Sequence, residues 1–269
     1  MKRLFILSLL SVSLASGALS SSVTWTGNGG DTSFGNASNW NGGVPTAGST
    51  INISGTGVTI GGISNTITGS HVVVGDNSTV TLNSNIGDYA PSIASYTVGN
   101  GSTLKMEATN GYNWDSKTID VNLNETGKII FWNQSHNLQL SHFNLTISIG
   151  VNTPINQVFS RELMYFSYST VNNLTNGVNA AFDLDSLSLT IDGISGMTQV
   201  ATVINGDLNN TLEGLSTDDL NAGEYRLVVT KGEHGDSTKV WVQYKVIPEP
   251  TSASLGVLGL GCLIWRRRR

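Results

Sequence analysis

The nonapeptide VGDNSTVTL, residues Val74–Leu82, recurs as VGNGSTLKM at Val98–Met106, 24 residues further along the chain. A fainter copy follows at Leu123–Phe131 after another 25 residues, and Ile53–Ile60 resembles an earlier one. Each copy consists of a β-branched or aliphatic run, a tight turn of Gly, Asn or Asp, and a second such run. A period in the twenties is typical of one coil of a parallel β-solenoid. The same turn residues also suit antiparallel hairpins, which remain the alternative.

The rest of the body has the same character, with short alternating apolar runs separated by Gly, Asn, Ser and Thr. Helical periodicity is nearly absent, and only Val158–Tyr165 suggests a short helical turn. We therefore predict an all-β fold. Residues 19–150 are expected to form a β-solenoid-like region with an N-terminal cap, and residues 151–246 a β-rich region that either closes the solenoid or forms a small sandwich.

The β-rich region is expected to end in a hairpin. Glu224–Thr230 and Lys239–Lys245 alternate in hydrophobicity, and a turn is expected at Gly232–Asp236 between them. In the second strand Val240, Val242 and Tyr244 would face the core, opposite Trp241, Gln243 and Lys245.

The segment 23–60 contains Trp25, Trp40 and many glycines before the first coil. It loosely resembles the opening segment of autotransporter-type passenger domains and other surface β-helical proteins. The favoured interpretation is structural: Trp25 and Trp40 shield the open end of the solenoid, an edge that would otherwise pair with another chain.

The last residues combine a rigid tripeptide, an apolar stretch and a cationic end. Thr251–Trp265 carries no charge and would span roughly 22 Å as a helix, a short membrane segment. The cationic end is expected to stay on the cytoplasmic side, which places the body outside. Prolines on both sides of Glu249 keep that residue extended and accessible. A simple C-terminal membrane anchor is the alternative interpretation. The tripeptide is Pro248, Glu249 and Pro250, and the cationic end is Arg266, Arg267, Arg268 and Arg269.

This arrangement at residues 247–269 resembles the PEP-CTERM sorting signal of Gram-negative bacteria. The resemblance implies recognition by an exosortase, a membrane protease thought to cut at the tripeptide and pass the protein to the cell surface or beyond. It makes Pro248, Glu249, Pro250, Arg266, Arg267, Arg268 and Arg269 the sorting motif. It also implies transient anchoring in the inner membrane and an exopolysaccharide-producing host, with exopolysaccharide as a partner.

The other terminus predicts export. Met1-Lys2-Arg3 is a cationic start, Leu4–Leu14 is apolar, and small residues follow. Residues 1–18 are therefore interpreted as a signal peptide that signal peptidase cleaves after Ala18.

Charge and cysteine content exclude several function classes. Residues 19–247 hold eight Lys and Arg against eighteen Asp and Glu, a balance of −10, and the cations are not clustered in the sequence. Nucleic acid is therefore not an expected partner. The single cysteine, Cys262, lies in the apolar tail, so disulfides and thiolate chemistry are not expected in the body.

Candidate catalytic and metal residues form no strong pattern. Asp183 with Asp185, or Asp218 with Asp219, would supply carboxylate pairs for glycoside hydrolysis, but no further signature accompanies them. The histidines lack metal-ligand spacing. Asp31 follows Asn28 and two glycines, yet the aspartate ladder of calcium-binding repeats is missing. We predict no catalytic residues, no cofactor and no metal.

Two functions remain after these exclusions. The first is an exported, non-enzymatic surface or extracellular-matrix protein of structural or adhesin-like type. The second is a carbohydrate-binding or carbohydrate-active β-helix. Tyr112, Trp114 and Trp132 should discriminate, since exposure on one face beside Asp115 or Asp120 would indicate sugar stacking, whereas burial would indicate core. We expect most of these aromatics to be at least half buried.

Overall fold

The structure is a computed structural model. It describes residues 21–63, 65–83, 93–108, 112–133, 138–148, 158–166, 187–192, 198–209, 212, 219–231 and 238–245.

The described residues form sixteen strands and two short 3₁₀ turns, Ala37–Asn39 and Asn65–Ile67. The strands are β1 Ser22–Trp25, β2 Trp40–Asn41, β3 Thr50–Ile53, β4 Val58–Gly61, β5 His71–Val74, β6 Thr79–Asn83, β7 Ser95–Val98, β8 Thr103–Ala108, β9 Tyr112–Leu123, β10 Lys128–Asn133, β11 Leu138–Ser148, β12 Val158–Phe166, β13 Leu187–Asp192, β14 Thr198–Asn209, β15 Glu224–Lys231 and β16 Thr238–Lys245.

The sixteen strands divide into two eight-stranded sheets. Sheet A has the order β13-β11-β9-β7-β5-β3-β1-β2, and sheet B has the order β14-β15-β16-β12-β10-β8-β6-β4. From β3 to β10 the chain alternates between the sheets, and each strand pairs in parallel with the strand one coil later. The all-β class and the parallel β-solenoid, of about four turns, are thus confirmed, and the hairpin alternative is wrong for this region.

The repeat in the sequence matches the register in which the parallel strands of successive coils pair. Ile53 pairs with Val74, Val80 with Leu104 and Leu104 with Ile129, so the coil lengthens from 21 to 24 and then 25 residues. The parallel ladders also continue past residue 150, where β12 pairs with β10 and β13 pairs with β11.

The core lies between the sheets, where alternate side chains of each coil stack on those of the next. In sheet B one such row is Val80, Leu104, Ile129 and Met164, and all four side chains are fully buried. Burial of these rows supplies the main stabilising free energy, because no coil can bury its apolar face alone.

Polar turns are also tied from coil to coil. Asn77 and Gly101, 24 residues apart, both adopt positive φ, +52° and +68°, which turns at these points require. Beside them the backbone N–H of Ser78 donates to Ser102 Oγ at 2.9 Å, and the N–H of Gly55 donates to Ser78 Oγ at 3.0 Å.

The N-terminal end of sheet A is covered. Strand β2 pairs antiparallel with β1, on the side away from β3. Trp25 and Trp40 are buried in an edge-on contact with ring centroids 4.9 Å apart, and Phe34 packs edge-on against Trp40 at 5.3 Å. The arrangement has the geometry that a cap requires, since an antiparallel strand and aromatic rings end the parallel stack.

The second half contains the expected hairpin, because β15 and β16 pair antiparallel from Tyr225–Tyr244 to Lys231–Thr238. The helical turn expected at Val158–Tyr165 is wrong, since this segment is strand β12 between β10 and β16. A register shift lies between Glu162 and Met164, and it places the adjacent Leu163 and Met164 in the interior. Gln243 is also buried, contrary to the expected alternation.

Several predicted segments lie outside the described residues. They include the signal peptide 1–18, the tripeptide 248–250, the apolar stretch 251–265 and the terminal arginines. Among the residues that the structure does describe, no helix has the length and apolarity needed to cross a membrane.

Candidate functional site

A groove crosses the outer face of sheet B where β8, β10, β12 and β16 lie side by side. It has a volume of about 300 Å³. Its central row is Lys105, Ile130, Tyr165 and Lys239, which are direct neighbours in the strand register. These positions alternate with the buried core row of the same strands, so the pleat directs their side chains to the opposite face. Lys128, Trp132 and Glu162 complete the lining.

The groove brings three ammonium groups together around two carboxylates. Lys239 Nζ lies 3.4 Å from Glu162 Oε2, and Lys128 Nζ lies 3.9 Å from Glu162 Oε1. Lys105 Nζ lies 3.5 Å from Oε1 of Glu107, on the same strand. Among the described residues, three lysines and two glutamates take part in these contacts, in a body whose overall balance is negative.

Aromatic rings line the same groove. Trp132 is half-buried, and Lys105 Nζ lies 4.5 Å from the centroid of its ring, within the range of a cation–π contact. Tyr165 is only 7% exposed, and its hydroxyl has no hydrogen-bond partner in the described part of the chain. Most buried hydroxyls are satisfied, so this one marks a position where a further polar atom would be favourable.

A second hollow of about 360 Å³ adjoins the groove and shares Lys128 and Glu162 with it. Arg161 lies in its wall, where Nη2 donates to the carbonyl oxygens of Asn124 at 2.9 Å and Gly127 at 2.7 Å. Desolvation by burial lowers the pKa of Arg161 to about 10. This arginine ties β12 to the turn of the preceding coil.

The groove belongs to a wider charge asymmetry. Of the eight Lys and Arg between residues 19 and 247, seven lie on strands of sheet B, and only four acids lie there. Sheet A strands carry one lysine and three acids. The cations are dispersed in the sequence, and the strand order brings most of them onto one sheet. The seven are Lys105, Lys128, Arg161, Arg226, Lys231, Lys239 and Lys245.

Sugar stacking would require aromatic and acidic residues to share one exposed face, and the described ones do not. Trp132 lies on β10 in sheet B, whereas Asp120 is exposed on β9 in sheet A, so the two do not share a face. Trp132 is half-buried, as expected. The side chains of Tyr112, Trp114 and Asp115 lie outside the description, although their backbone belongs to β9.

The candidate acids have structural partners where they are described. Asp31 accepts from the side chains of Asn39 at 2.6 Å and Asn36 at 3.0 Å, and from the backbone N–H of Ser33 at 3.0 Å. These bonds lower its pKa, with the Asn36 bond as the largest cause. Asp219 forms an ion pair with Arg226 at 2.9 Å.

The remaining sequence-based candidates fall elsewhere. Asp183, Asp185 and Asp218 lie outside the described residues, as do Ala18 and the whole sorting motif. His71 Nδ1 lies 2.8 Å from Ser95 Oγ, a contact between neighbouring coils. Within the described ranges, no three His, Cys, Asp or Glu side chains gather as metal ligands would.

Sequence reasoning missed the groove because its residues come from four strands spread over more than a hundred residues. Lys105 and Lys128 sit at outward positions of successive coils, where the repeat alignment pairs Lys105 with Ile130 and Lys128 with Thr103 and so places the two lysines two residues apart on the same face. Lys239 and Glu162 carried no such signal, because β12 and β16 lie outside the repeat.

These observations define the class of the protein as an all-β chain built on a parallel β-solenoid, with a cationic, aromatic groove on one sheet. In comparisons with known proteins, no family model, no curated protein and no solved structure matches the chain.

Proposed function

We propose that this is an exported cell-surface or extracellular-matrix protein with a structural or adhesin-like role. The observation that carries the proposal is the combination of a capped β-solenoid with a tail of the PEP-CTERM type. A solenoid offers long side-chain faces whose positions are fixed by the neighbouring coils, which suits a scaffold. The acidic balance of the body keeps such a scaffold soluble after export.

In this proposal the chain is processed twice. Signal peptidase removes residues 1–18, and an exosortase acts at Pro248-Glu249-Pro250 while Thr251–Trp265 holds the chain in the inner membrane. The four terminal arginines keep the tail on the cytoplasmic side. The body then reaches the cell surface or the surrounding matrix without taking part in catalysis.

Mass spectrometry of the protein from surface and membrane fractions of an exosortase-containing Gram-negative host tests this proposal. We expect a mature N-terminus after Ala18 and a mature C-terminus within or next to the tripeptide. A variant with all three tripeptide residues changed to alanine should remain in the membrane fraction with Arg269 attached. A matched control with Glu233→Ala should be processed normally. Recovery of the unmodified chain from the surface with Arg269 intact would contradict the sorting proposal.

The second candidate is carbohydrate binding or carbohydrate-active enzymology, and the groove of Trp132 and the lysines favours binding. A half-buried ring beside hydrogen-bond donors is a common way to hold a sugar. Incubation with polysaccharides separates the two forms of this candidate. New reducing ends would indicate an enzyme, whereas retention on a polysaccharide gel without cleavage would indicate a binding protein.

A further inference from the structure

We propose that Lys105 and Asn83 form a covalent crosslink between two coils of the solenoid, an amide bond that joins Lys105 Nζ to Asn83 Cγ. Glu107 transfers the protons in this reaction. The inference goes beyond the proposed function, which gives the chain a location and no chemistry within the body. It holds whether or not the tail is processed, so the two proposals fail independently.

Three side chains with the required chemistry lie together on the outer face of sheet B. Asn83 on β6 pairs with Glu107 on β8 in the parallel register, and Lys105 lies two residues before Glu107 on the same strand. Lys105 and Glu107 alternate with the buried Leu104 and Met106, so both point outward. The cluster thus brings together an amine, an amide and a carboxylate.

One carboxylate contacts both the nucleophile and the leaving group. Lys105 Nζ lies 3.5 Å from Oε1 of Glu107, and Asn83 Nδ2 lies 3.4 Å from Oε2 of the same side chain. A general base must lie within reach of the proton that it accepts, and a general acid within reach of the atom that departs. Glu107 has the position to serve as both in turn.

The reaction is a condensation that needs no oxidant, reductant or further reactant. As the Nζ–Cγ bond forms and the Cγ–Nδ2 bond breaks, two of the three protons of the Lys105 ammonium pass through the Glu107 carboxylate to Nδ2. Nδ2 leaves as an ammonium ion, which carries away the charge of the lysine. Glu107 returns to its starting carboxylate form, and the chain keeps a neutral amide between β6 and β8.

The lysine side chain can reach the amide. Lys105 and Asn83 are diagonal neighbours on adjacent strands, which lie about 7–8 Å apart and within reach of a long side chain. Trp132, level with Glu107 on β10, holds Lys105 Nζ 4.5 Å from its ring centroid, and Asn83 lies on the other side of Glu107. Rotation about the lysine torsions carries the amine across the carboxylate while the paired strands keep both partners in place, which favours an intramolecular reaction.

Intact-mass measurement on the full chain tests the inference. We expect a species lighter than the calculated mass by about 17 Da, the mass of one ammonia. After proteolysis, a branched peptide should connect the segments around residues 83 and 105. The same chain should keep this bond after denaturation, because a covalent crosslink survives the loss of the hydrogen-bonded ladder.

Variants assign the role of each group. Lys105→Arg and Asn83→Ala should both have their full calculated mass, since each lacks one partner of the bond. Glu107→Gln keeps both partners without the base and should form the lighter species more slowly, by about a hundredfold or more. Lys128→Arg is the matched control, because Lys128 lies one coil later on the same sheet and contacts Glu162; it should crosslink like the unchanged chain. Circular dichroism checks that each variant keeps the β fold.

Three results would overturn the inference. The first is a full calculated mass for the unchanged chain after prolonged incubation in the folded state. The second is a loss of the same mass that persists in Asn83→Ala, which would indicate ring closure at another asparagine rather than this crosslink. The third is an unchanged rate in Glu107→Gln, which would remove the carboxylate from the reaction.

Discussion

Replacing Ser102 with alanine is expected to lower the free energy of unfolding by about 2–3 kcal/mol. Ser102 is 1% exposed and lies in the turn between β7 and β8. Its hydroxyl accepts from the backbone N–H of Ser78 at 2.9 Å and donates to the carbonyl oxygen of Gly75 at 2.6 Å, both in the preceding coil. Alanine fits the space but can form a hydrogen bond to neither the Ser78 N–H nor the Gly75 carbonyl oxygen.

The size of this loss in unfolding free energy follows from the two backbone groups that the substitution leaves without their partner. The N–H of Ser78 loses its acceptor inside the protein, and an unsatisfied buried group costs about 1–3 kcal/mol. The carbonyl of Gly75 loses a donor as well, which adds a smaller amount because carbonyls tolerate incomplete pairing better. For a chain of this size, 2–3 kcal/mol corresponds to a fall in Tm of about 4–12 °C.

Two measurements check this expectation on the full chain. Chemical denaturation gives the free energy of unfolding, and amide hydrogen exchange reports on the Ser78 N–H itself, which should exchange faster in the variant. Thr56→Ala is the control, because Thr56 is an exposed residue of an equivalent turn. That substitution should change stability by less than about 0.5 kcal/mol.

Equally mild effects of Ser102→Ala and Thr56→Ala would contradict this expectation. Destabilisation by Ser102→Ala with unchanged protection of the Ser78 amide would contradict it as well. In the second case the loss would come from packing rather than from the hydrogen bond between coils.

Two further predictions concern packing and pH. Gly127→Ala should destabilise the protein by about 1–3 kcal/mol, because the new Cβ would lie 2.6 Å from the carbonyl oxygen of Val98. Chemical denaturation measures this loss. The control Gly35→Ala should be close to neutral, because the atom nearest to its Cβ would be 4.0 Å away. Burial raises the pKa of Tyr225 and Tyr244 above 10.0, so the folded chain keeps phenolic protons that the unfolded chain releases, and stability should fall as pH rises above 10. Tyr244→Phe should flatten that fall in stability-against-pH curves, whereas an unchanged slope would contradict the assignment.

The solenoid could be predicted from the sequence because residues at the same place in the repeat are neighbours in the parallel sheet. Val80 and Leu104 share a place in the nonapeptide, and the same two residues are neighbours in the ladder. Strand β12 could not be recognised, because the register shift after Glu162 puts consecutive Leu163 and Met164 inside and removes the period-two pattern that identifies a strand.

The candidate groove was less predictable than the fold. The repeat aligns Lys105 with the coil that contains Lys128, but it gives no information on the partners that follow residue 150. Gln243 illustrates the same difficulty. A polar residue at an outward position predicts exposure, yet this side chain is buried. It accepts from Arg226 and donates to Ser160 on the neighbouring strands, and these bonds replace those it would make to water.

The coil-to-coil register also governs how long this molecule is. In the described coils each strand pairs with the strands of the coils before and after it, and β2 closes the N-terminal end of sheet A. Duplicating one 24-residue unit would therefore lengthen the body by a single strand spacing, about 4.8 Å, and would leave both ends unchanged. The length of such a protein can therefore change one coil at a time while the packing of the core stays the same.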